Sequence, residues 1–269
     1  MNSRDSFSDT RPRLEVLSVA ASDDSEPGHP ILFVHGAYTG AWCWAEHYLS
    51  FFAEAGHSAY ALSLSGHGAS RGRQHLDTFS IDDYVRDVCE VADTLPSPPV
   101  LVGHSMGGFV VQKLLEERTA PGAVLMCAVP PQGLLGSAMN MLMRRPDMLS
   151  DLGRLLGGSG ASRNTLRDAL FAQPVNEAAL ERYFRQSQTE SHRALWDMSL
   201  FNLPAVRRVT RTPLLVLGAG RDHLIAPDLV EQTAQAYGVV PHFFNGMGHG
   251  MMLEQDWRLP AQAIIDWLK

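Results

Sequence analysis

Residues 101–108 read Leu-Val-Gly-His-Ser-Met-Gly-Gly, and this stretch decides the fold. An apolar run ends at Val102, and a pattern typical of a helix begins at Met106. Ser105 therefore lies in a G-x-S-x-G turn, where small residues on either side let a strand and a helix approach each other closely. We predict a strained turn that presents the serine hydroxyl at the carboxyl edge of a sheet, which makes Ser105 the candidate nucleophile. A plain tight turn is the alternative.

The same alternation of short apolar runs and longer amphipathic segments extends outward from this turn. It predicts a mostly parallel central sheet covered by helices on both faces. The predicted strands are Leu14–Ala20, Ile31–Val34, Ser58–Leu62, Val100–Val102, Ala123–Val129, Leu214–Leu217 and Val240–Phe244. The predicted helices are Trp42–Ala55, Ile81–Leu95, Met106–Arg118, Pro227–Tyr237 and Trp257–Leu268. A capping box formed by Ser80 and Asp83 should start the second helix.

Residues 131–204 interrupt this rhythm and contain no convincing strand. We predict that they form a helical cap, or lid, while residues 1–130 and 205–269 form the core. The cap is rich in methionine and leucine, which adapt to irregular apolar ligands, although ordinary packing explains any single one equally well. These side chains are Met139, Met141, Met143, Leu149, Leu152 and Leu155.

The composition is that of an ordinary globular protein: 45% of the 269 residues are hydrophobic and 19% are charged. A formal net charge of −7 argues against a nucleic-acid partner, which needs a basic surface. The cysteines are scattered and predicted to be free thiols, which fits a reducing compartment. The first residues lack the apolar region of a signal peptide, and no stretch is long and apolar enough to span a membrane. We therefore expect a cytoplasmic protein without a transmembrane segment and leave a homodimer open.

A serine hydroxyl needs a base, and the base needs an orienting carboxylate. His249 is the best candidate base, because it lies in a glycine-rich loop after the last predicted strand. Asp222 follows the strand Leu214–Leu217 and is the candidate acid, giving the chain order Ser, Asp, His. A turn or N-cap role is the alternative for Asp222. Asp228 is better explained as part of the first turn of the next helix.

Backbone N–H groups at another strand end should bind the developing anion. The strand Ile31–Val34 ends in a His-Gly-Ala turn, so the N–H of Ala37 can join that of Met106 in an oxyanion hole. We also predict substrate contacts for Tyr38, His35 and Trp196. The aromatic residues Trp42, Trp44, Trp196 and Phe201 are candidates for an acyl pocket, although aromatic residues at such positions more often belong to the ordinary core.

With these motifs in place, the chain resembles the α/β-hydrolase fold superfamily. The resemblance rests on His-Gly-Ala at 35–37, Gly-His-Gly-Ala-Ser at 66–70, the serine turn at 103–108, Gly-Arg-Asp at 220–222 and Gly-His-Gly at 248–250. The stretch 35–44 is similar to plant methylesterases and hydroxynitrile lyases, whereas the long cap is closer to bacterial esterases and lipases. The resemblance implies an α/β-hydrolase fold with a helical cap inserted after the sixth strand.

The chain departs from these relatives at two positions. Many of them carry Asp where this chain has Ser63, which puts the rigidity of the following loop in question. Hydroxynitrile lyases use a lysine where this chain has Leu224, which disfavours lyase activity. A serine nucleophile also excludes the related dehalogenases and epoxide hydrolases, which attack with an Asp.

These observations predict a serine esterase or lipase-like hydrolase acting on a small or medium apolar carboxylic ester, its small-molecule partner. No metal or cofactor is expected, since HExxH, paired CxxC and Walker motifs are missing from the sequence. Acyl transfer, amide or C–C bond hydrolysis, or perhydrolysis on the same three residues are alternatives. A ligand-binding receptor that retains the fold is an alternative from a different class.

Overall fold

The computed structural model describes residues 14–22, 28–135 and 163–269 of the chain. Its strands are β1 (Val16–Val19), β2 (Ile31–Val34), β3 (Ala59–Leu62), β4 (Val100–His104), β5 (Ala123–Met126), β6 (Leu214–Ala219) and β7 (His242–Phe244). They form a seven-stranded sheet in the order β1-β3-β2-β4-β5-β6-β7. β1 pairs antiparallel with β3, and the other described neighbours are parallel. The carboxyl ends of β2, β4, β5, β6 and β7 therefore meet at one edge of the sheet.

Helices cover both faces of this sheet. They are α1 (Trp42–Ala45), α2 (Tyr48–Glu54), α3 (Ile81–Ala92), α4 (Met106–Leu114), α5 (Arg163–Leu170), α6 (Glu177–Gln186), α7 (His192–Trp196), α8 (Pro227–Tyr237) and α9 (Arg258–Leu268). Short 3₁₀ segments span Arg73–Thr78 and Val206–Arg208, and a π-helical turn spans Asp197–Phe201. None of the described helices combines the length and the apolar character that crossing a membrane requires.

The alternating side chains of β2 belong to two separate hydrophobic clusters, one on each face of the sheet. Ile31 and Phe33 of β2 belong to the cluster that α1, α2 and α9 complete, whereas Leu32 and Val34 belong to the cluster of α3, α4 and α8. Successive side chains of a strand point to opposite faces, so a strand buried on both sides is apolar throughout. The continuous apolar runs of the sequence are explained by this three-layer arrangement.

The predicted capping box is confirmed at the start of α3. The Ser80 hydroxyl accepts a hydrogen bond from the N–H of Asp83 at 3.2 Å, and the Asp83 carboxylate accepts the N–H of Ser80 at 2.9 Å. These two contacts satisfy backbone donors that the first turn of a helix leaves unpaired.

The predicted helix Trp42–Ala55 is in fact two helices, α1 and α2. The chain breaks at His47, whose φ of −144° is not helical. The His47 ring stacks on Trp257 with a centroid distance of 4.6 Å and an interplanar angle of 2°. Because Trp257 is far away in the sequence, the local pattern of apolar residues carries no sign of this break.

Several strand ends also differ from the prediction. β5 ends at Met126 rather than Val129, because Cys127 has a φ of +43° and leaves the extended conformation. β4 continues to His104, two residues beyond the predicted end. β7 begins at His242, since Val240 is 87% exposed and precedes the strand.

The predicted cap follows β5, which is the fifth strand described along the chain rather than the sixth. Residues 136–162 lie outside the described residues, and with them the methionines and leucines predicted to line the cap. The described parts of 131–204 are helical or irregular, and they include α5, α6 and α7. The division of the chain into core and cap stays a prediction.

Candidate active site

Ser105 occupies the turn between β4 and α4 with φ of 53° and ψ of −117°, outside the ordinary regions for a residue with a side chain. Backbone hydrogen bonds hold this conformation. The N–H of Ser105 donates to the Met126 carbonyl at 3.1 Å, and the Ser105 carbonyl accepts from the N–H groups of Phe109 at 3.2 Å and Val129 at 3.1 Å. The turn is thus fixed from β5 as well as from its own helix, as a strained functional turn requires.

The glycines around Ser105 are required by close backbone contacts. A Cβ placed on Gly103 would lie 2.5 Å from the carbonyl oxygen of Gly107. A Cβ on Gly107 would overlap the Val34 carbonyl oxygen at the end of β2, and one on Gly108 would overlap the Ala128 side chain. These contacts agree with the steric explanation of the G-x-S-x-G pattern, because strand and helix meet where no side chain fits.

His249 and Asp222 form a buried pair at the same edge of the sheet. Nδ1 of His249 donates to Oδ2 of Asp222 at 2.7 Å, and both residues are buried. The other carboxylate oxygen, Oδ1, accepts the N–H groups of Leu224 and Ile225, each at 2.8 Å. Since the proton of neutral His249 lies on Nδ1, its Nε2 has a free lone pair. This arrangement suits a base that accepts a proton at Nε2 while the carboxylate stabilises the resulting cation.

A second histidine links the base loop to the serine turn. Nε2 of His104 donates to the backbone carbonyl of His249 at 2.9 Å, and the two rings lie 4.6 Å apart. Burial, together with the nearby His249, holds the pKa of His104 well below its usual range. His104 is therefore a neutral hydrogen-bond donor. The sequence places His104 next to Ser105 but gives no sign of this role, which depends on a contact across 145 positions.

The turn predicted to supply the oxyanion hole lies against the serine. A Cβ placed on Gly36 would lie 3.0 Å from the Ser105 Cβ. Met106 is the first residue of α4, so its N–H has no partner in the previous turn of the helix. Tyr38 has a φ of +67°, and its carbonyl accepts the N–H of Gln188 at 2.9 Å. The role of Ala37 and Met106 as anion donors stays a prediction.

His35 supports this turn through hydrogen bonds to the backbone. It is fully buried, its Nδ1 donates to the Gly36 carbonyl at 2.8 Å, and its Nε2 accepts the N–H of Leu64 at 3.0 Å. Burial and the neighbouring His67 lower the pKa of His35 to about 3, so the ring is neutral. Both ring nitrogens are thus engaged with the backbone, and the substrate contact predicted for His35 stays a prediction.

The predicted aromatic contacts divide into three groups. Trp44 is fully buried in the core, whereas Trp42 is half-buried and stacks on Tyr183 at 5.6 Å. Trp196 and Phe201 are 60% and 69% exposed and pack against each other at 6.2 Å. The Tyr38 hydroxyl is buried and has no hydrogen-bond partner among the residues described. The substrate contacts predicted for Tyr38 and Trp196 stay predictions.

A buried ion pair that no sequence motif indicates joins the loop at 66–68 to the residues before α7. Nε2 of His67 lies 2.9 Å from Oε2 of Glu190, whose Oε1 accepts the Tyr84 hydroxyl and the N–H of Ser191, each at 2.7 Å. Burial favours a neutral ring, yet the Glu190 carboxylate raises the pKa of His67 above its usual value. Burial likewise opposes ionisation of Glu190, yet His67 lowers its pKa. His67 belongs to the Gly-His-Gly-Ala-Ser motif at 66–70, but no local pattern marks Glu190.

The position where many relatives carry Asp is supported in another way. The Ser63 hydroxyl donates to Oε2 of Glu15 at 2.6 Å and accepts the N–H of Ala41 at 2.9 Å. The N–H and the hydroxyl of Ser65 donate to the two carboxylate oxygens of Asp87 at 2.7 and 2.9 Å. The carboxylates of Glu15, just before β1, and of Asp87, in α3, therefore hold this loop, whose rigidity the absence of the usual Asp puts in question.

In the described ranges, Cys127, Asp222 and His249 form the group whose ligand atoms come close enough to hold a metal ion, all within 4.8 Å of one another. Metal binding needs a thiolate. Burial, followed by the charge of Asp222, raises the pKa of the Cys127 thiol well above its usual range. The other two members are already paired with each other. This group therefore belongs to the buried His249–Asp222 pair rather than to a separate metal site.

The chain is similar to known hydrolases in sequence and in fold. A family model described as "Alpha/beta hydrolase family" matches residues 31–262. The solved structure of the esterase EaEST from Exiguobacterium antarcticum aligns with a TM-score of 0.70 at 18% identity, covering 95% of this chain and 95% of that chain. A likeness at this identity shows a common fold, and the predicted fold class is confirmed.

Curated relatives include plant esterases, in agreement with the resemblance stated from the sequence. A rice protein (Oryza sativa subsp. indica) named "Probable esterase PIR7A" is 35% identical over 132 residues, which cover 46% of this chain and 49% of the rice protein. The match thus spans about half the length of that relative. Methylesterase 3 of Arabidopsis thaliana is 23% identical over 249 residues, which cover 88% of this chain and 84% of the plant protein.

Proposed function

The chain belongs to the alpha/beta hydrolase family, and from that premise we propose that it hydrolyses carboxylic esters with Ser105 as the nucleophile. The observation that carries the proposal is the buried 2.7 Å contact between His249 and Asp222 at the sheet edge where the strained Ser105 turn lies. Esterase names among the curated relatives and the solved structures support the same reaction class.

The first half of the reaction forms an ester between the substrate's acyl group and Ser105. The serine Oγ attacks the carbonyl carbon while Nε2 of His249 takes the hydroxyl proton, and Asp222 stabilises the imidazolium. The oxyanion accepts hydrogen bonds from the backbone N–H groups of Ala37 and Met106, each worth about 3 kcal/mol of the barrier. The imidazolium then donates this proton to the alkoxide of the substrate, which leaves as the alcohol as its bond to the acyl carbon breaks.

The second half releases the acid. Water enters, and Nε2 of His249 takes one of its protons as the oxygen attacks the acyl carbon. The tetrahedral intermediate collapses, the bond to the Ser105 Oγ breaks, and His249 returns the proton to the serine. The same three residues thus act twice, and no group beyond water is consumed.

For the substrate we propose a small or medium apolar ester, with residues 131–204 forming a cap over Ser105. The described part of this range supports the proposal through two contacts with the core. One is the His67–Glu190 pair, and the other is the hydrogen bond from the N–H of Gln188 to the Tyr38 carbonyl. The Gln188 contact reaches the turn that lies against Ser105, and the His67 ring lies 5.0 Å from the ring of His35, which supports that turn.

The proposal is tested with p-nitrophenyl esters and a fluorophosphonate probe. Ser105→Ala should lose labelling by the probe and lower kcat by about 10⁴-fold or more in a protein that still melts cooperatively. The wild type should turn over many substrate molecules per enzyme, whereas a ligand-binding receptor would bind the ester without turnover. A folded Ser105→Ala variant with near-wild-type turnover would refute the mechanism.

A further inference from the structure

Glu254 is a buried carboxylate with no part in the chemistry described above. It is 1% exposed, and all its described contacts are with backbone N–H groups. Its Oε1 accepts the N–H of Gly248 and the N–H of Ala172, each at 2.7 Å, and its Oε2 accepts the N–H of Gln173 at 3.0 Å. A carboxylate that accepts three backbone donors makes strong, charge-assisted hydrogen bonds. Glu254 therefore joins the residue before His249 to the segment that follows α5.

The residue after His249 is tied to the same segment. The N–H of Gly250 donates to the Leu170 carbonyl at 2.7 Å. A Cβ placed on Gly248 would lie 2.7 Å from the Ala172 nitrogen and 2.9 Å from the Leu170 carbonyl oxygen. Both neighbours of His249 thus pack directly against residues 170–173, and at Gly248 this packing leaves no room for a side chain.

A further contact holds the outer side of this segment without touching the His249 loop. The Gln173 amide donates to Oδ2 of Asp256 at 2.8 Å and accepts the N–H of Asp256 at 2.9 Å. Asp256 is exposed, so this pair provides a natural control. It anchors the Gln173 side chain to the core through contacts that involve neither Gly248 nor Gly250.

We propose that Glu254 is a positioning residue that, through Gly248 and residues 170–173, holds the His249 ring in the orientation that directs Nδ1 at Asp222. The inference rests on the proposed function, in which His249 is the base. On this inference, residues 170–173, which belong to the predicted cap, help to hold His249 in position. A displacement of a reacting group by about 1 Å can cost roughly 10²-fold in rate, so a support of this kind has a measurable effect on kcat.

The test replaces Glu254 by glutamine, whose amide nitrogen cannot accept a hydrogen bond. We expect Glu254→Gln to lower kcat by roughly 10- to 100-fold with little change in KM, because substrate binding does not depend on the orientation of His249. The downfield proton NMR signal of the His249 Nδ1–H, identified by its loss in Asp222→Asn, should broaden or disappear. Asp256→Ala is the matched control: it removes one contact of the Gln173 side chain but leaves the contacts of residues 170–173 with Glu254 and Gly250, so it should keep the NMR signal and kcat of the wild type.

The outcomes separate this inference from the proposed function. Wild-type kcat and an intact NMR signal in Glu254→Gln, with Ser105→Ala inactive, would overturn the positioning role and leave the proposed function standing. Activity in Ser105→Ala would instead overturn the proposed function. An equal loss of kcat in Glu254→Gln and Asp256→Ala would also refute the role, since it would indicate general loosening. Should Glu254→Gln fail to fold, Glu254→Asp decides by the same two measurements, because it keeps the charge but shortens the reach.

Discussion

The carbonyl oxygen of His249 accepts a hydrogen bond at 2.9 Å from Nε2 of His104, the residue immediately before Ser105. The loop that carries the proposed base is thus tied to the turn that carries the proposed nucleophile. Because His104 is buried and neutral, the link does not depend on pH over the ordinary range. It fixes the separation of two loops that come from β4 and from the end of β7.

Removal of this link should affect both stability and turnover. His104→Phe keeps an aromatic ring but leaves the His249 carbonyl unpaired, which should lower the free energy of unfolding by about 1–3 kcal/mol. We expect kcat to fall roughly 10-fold at nearly constant KM. Urea denaturation and ester kinetics measure the two effects. His104→Gln restores a donor and is the control; equal kcat in His104→Phe and the wild type would contradict the link.

The acid is tested by Asp222→Asn. The amide keeps the shape of the carboxylate but favours the wrong tautomer of His249, so kcat near neutral pH should fall by about 10³- to 10⁴-fold. Asp228→Asn, in the first turn of α8, should change kcat little. Steady-state kinetics with one ester compares the two variants directly. A nearly silent Asp222→Asn beside an inactive Asp228→Asn would show that the acid was wrongly assigned.

The buried pair of His67 and Glu190 predicts how stability depends on pH. The raised pKa of His67 contributes stability that is complete below its ordinary value of 6.5 and is lost as the pH rises through the folded-state pKa. The lowered pKa of Glu190 contributes stability that is complete above its ordinary value of 4.5 and is lost as the pH falls through the folded-state pKa. The pair should therefore stabilise the protein most between pH 4.5 and 6.5.

Glu190→Gln should lower the free energy of unfolding by about 3 kcal/mol in this pH range, and by less above it. Chemical denaturation of wild type and variant at a series of pH values measures the difference. Asp77→Asn is the control, because the His192–Asp77 pair is exposed at 58% and 64% of the two side chains and should contribute little. A difference between wild type and Glu190→Gln that does not vary with pH would contradict an ionised pair.

The close contact of α4 with β2 predicts the effect of a single methyl group. Gly107→Ala places a Cβ against the Val34 carbonyl oxygen, which cannot move without distorting the sheet. We expect a loss of about 3 kcal/mol in the free energy of unfolding. Gly238→Ala is the control: it has a φ of +69° but open space around the Cβ, so only conformational strain of roughly 1–2 kcal/mol applies. Equal losses in urea denaturation would refute the steric role of Gly107.

Acyl-chain selectivity tests the predicted cap. If the cap buries the acyl chain, kcat/KM for p-nitrophenyl esters from acetate to decanoate should rise by about fourfold per methylene, equivalent to about 0.8 kcal/mol, until the pocket is full. A variant that lacks residues 139–160 but keeps 163–204 should lose this preference. It leaves the contact between Glu254 and residues 170–173 in place, so a change in selectivity can be separated from displacement of His249. The same profile in both proteins would contradict the cap's role.

Much of the fold and the meeting of His249 with Asp222 could be predicted from the sequence because the signals are local. The G-x-S-x-G pattern reports a steric conflict among neighbouring residues, and the capping box reports contacts within one turn. The loops of Asp222 and His249 follow apolar strands, and parallel strands bring their carboxyl ends to one edge. The order of strands and loops along the chain was therefore enough to predict that Asp222 and His249 lie at the same edge of the sheet.

The supporting contacts could not be predicted in the same way. Glu190 lies 123 positions from His67, and nothing in its neighbourhood distinguishes it from an exposed glutamate. The break at His47 and the supporting role of Glu254 likewise depend on which surfaces meet after folding. A carboxylate in an apolar layer is stable only where donors converge on it, and that convergence is a property of the tertiary structure.

The order of strands in the sheet has a consequence for synthesis of the protein on the ribosome. β4 and the Ser105 turn emerge early, and β5 can pair with β4 as soon as it follows. Asp222 and His249 belong to the loops after β6 and β7, which are made much later. Because chains grow from the amino terminus at about 5–20 residues per second, a nascent chain contains the serine turn for several seconds before His249 has been made. On the proposed mechanism, ester hydrolysis by a translating ribosome complex would therefore report that β7 has already joined the sheet.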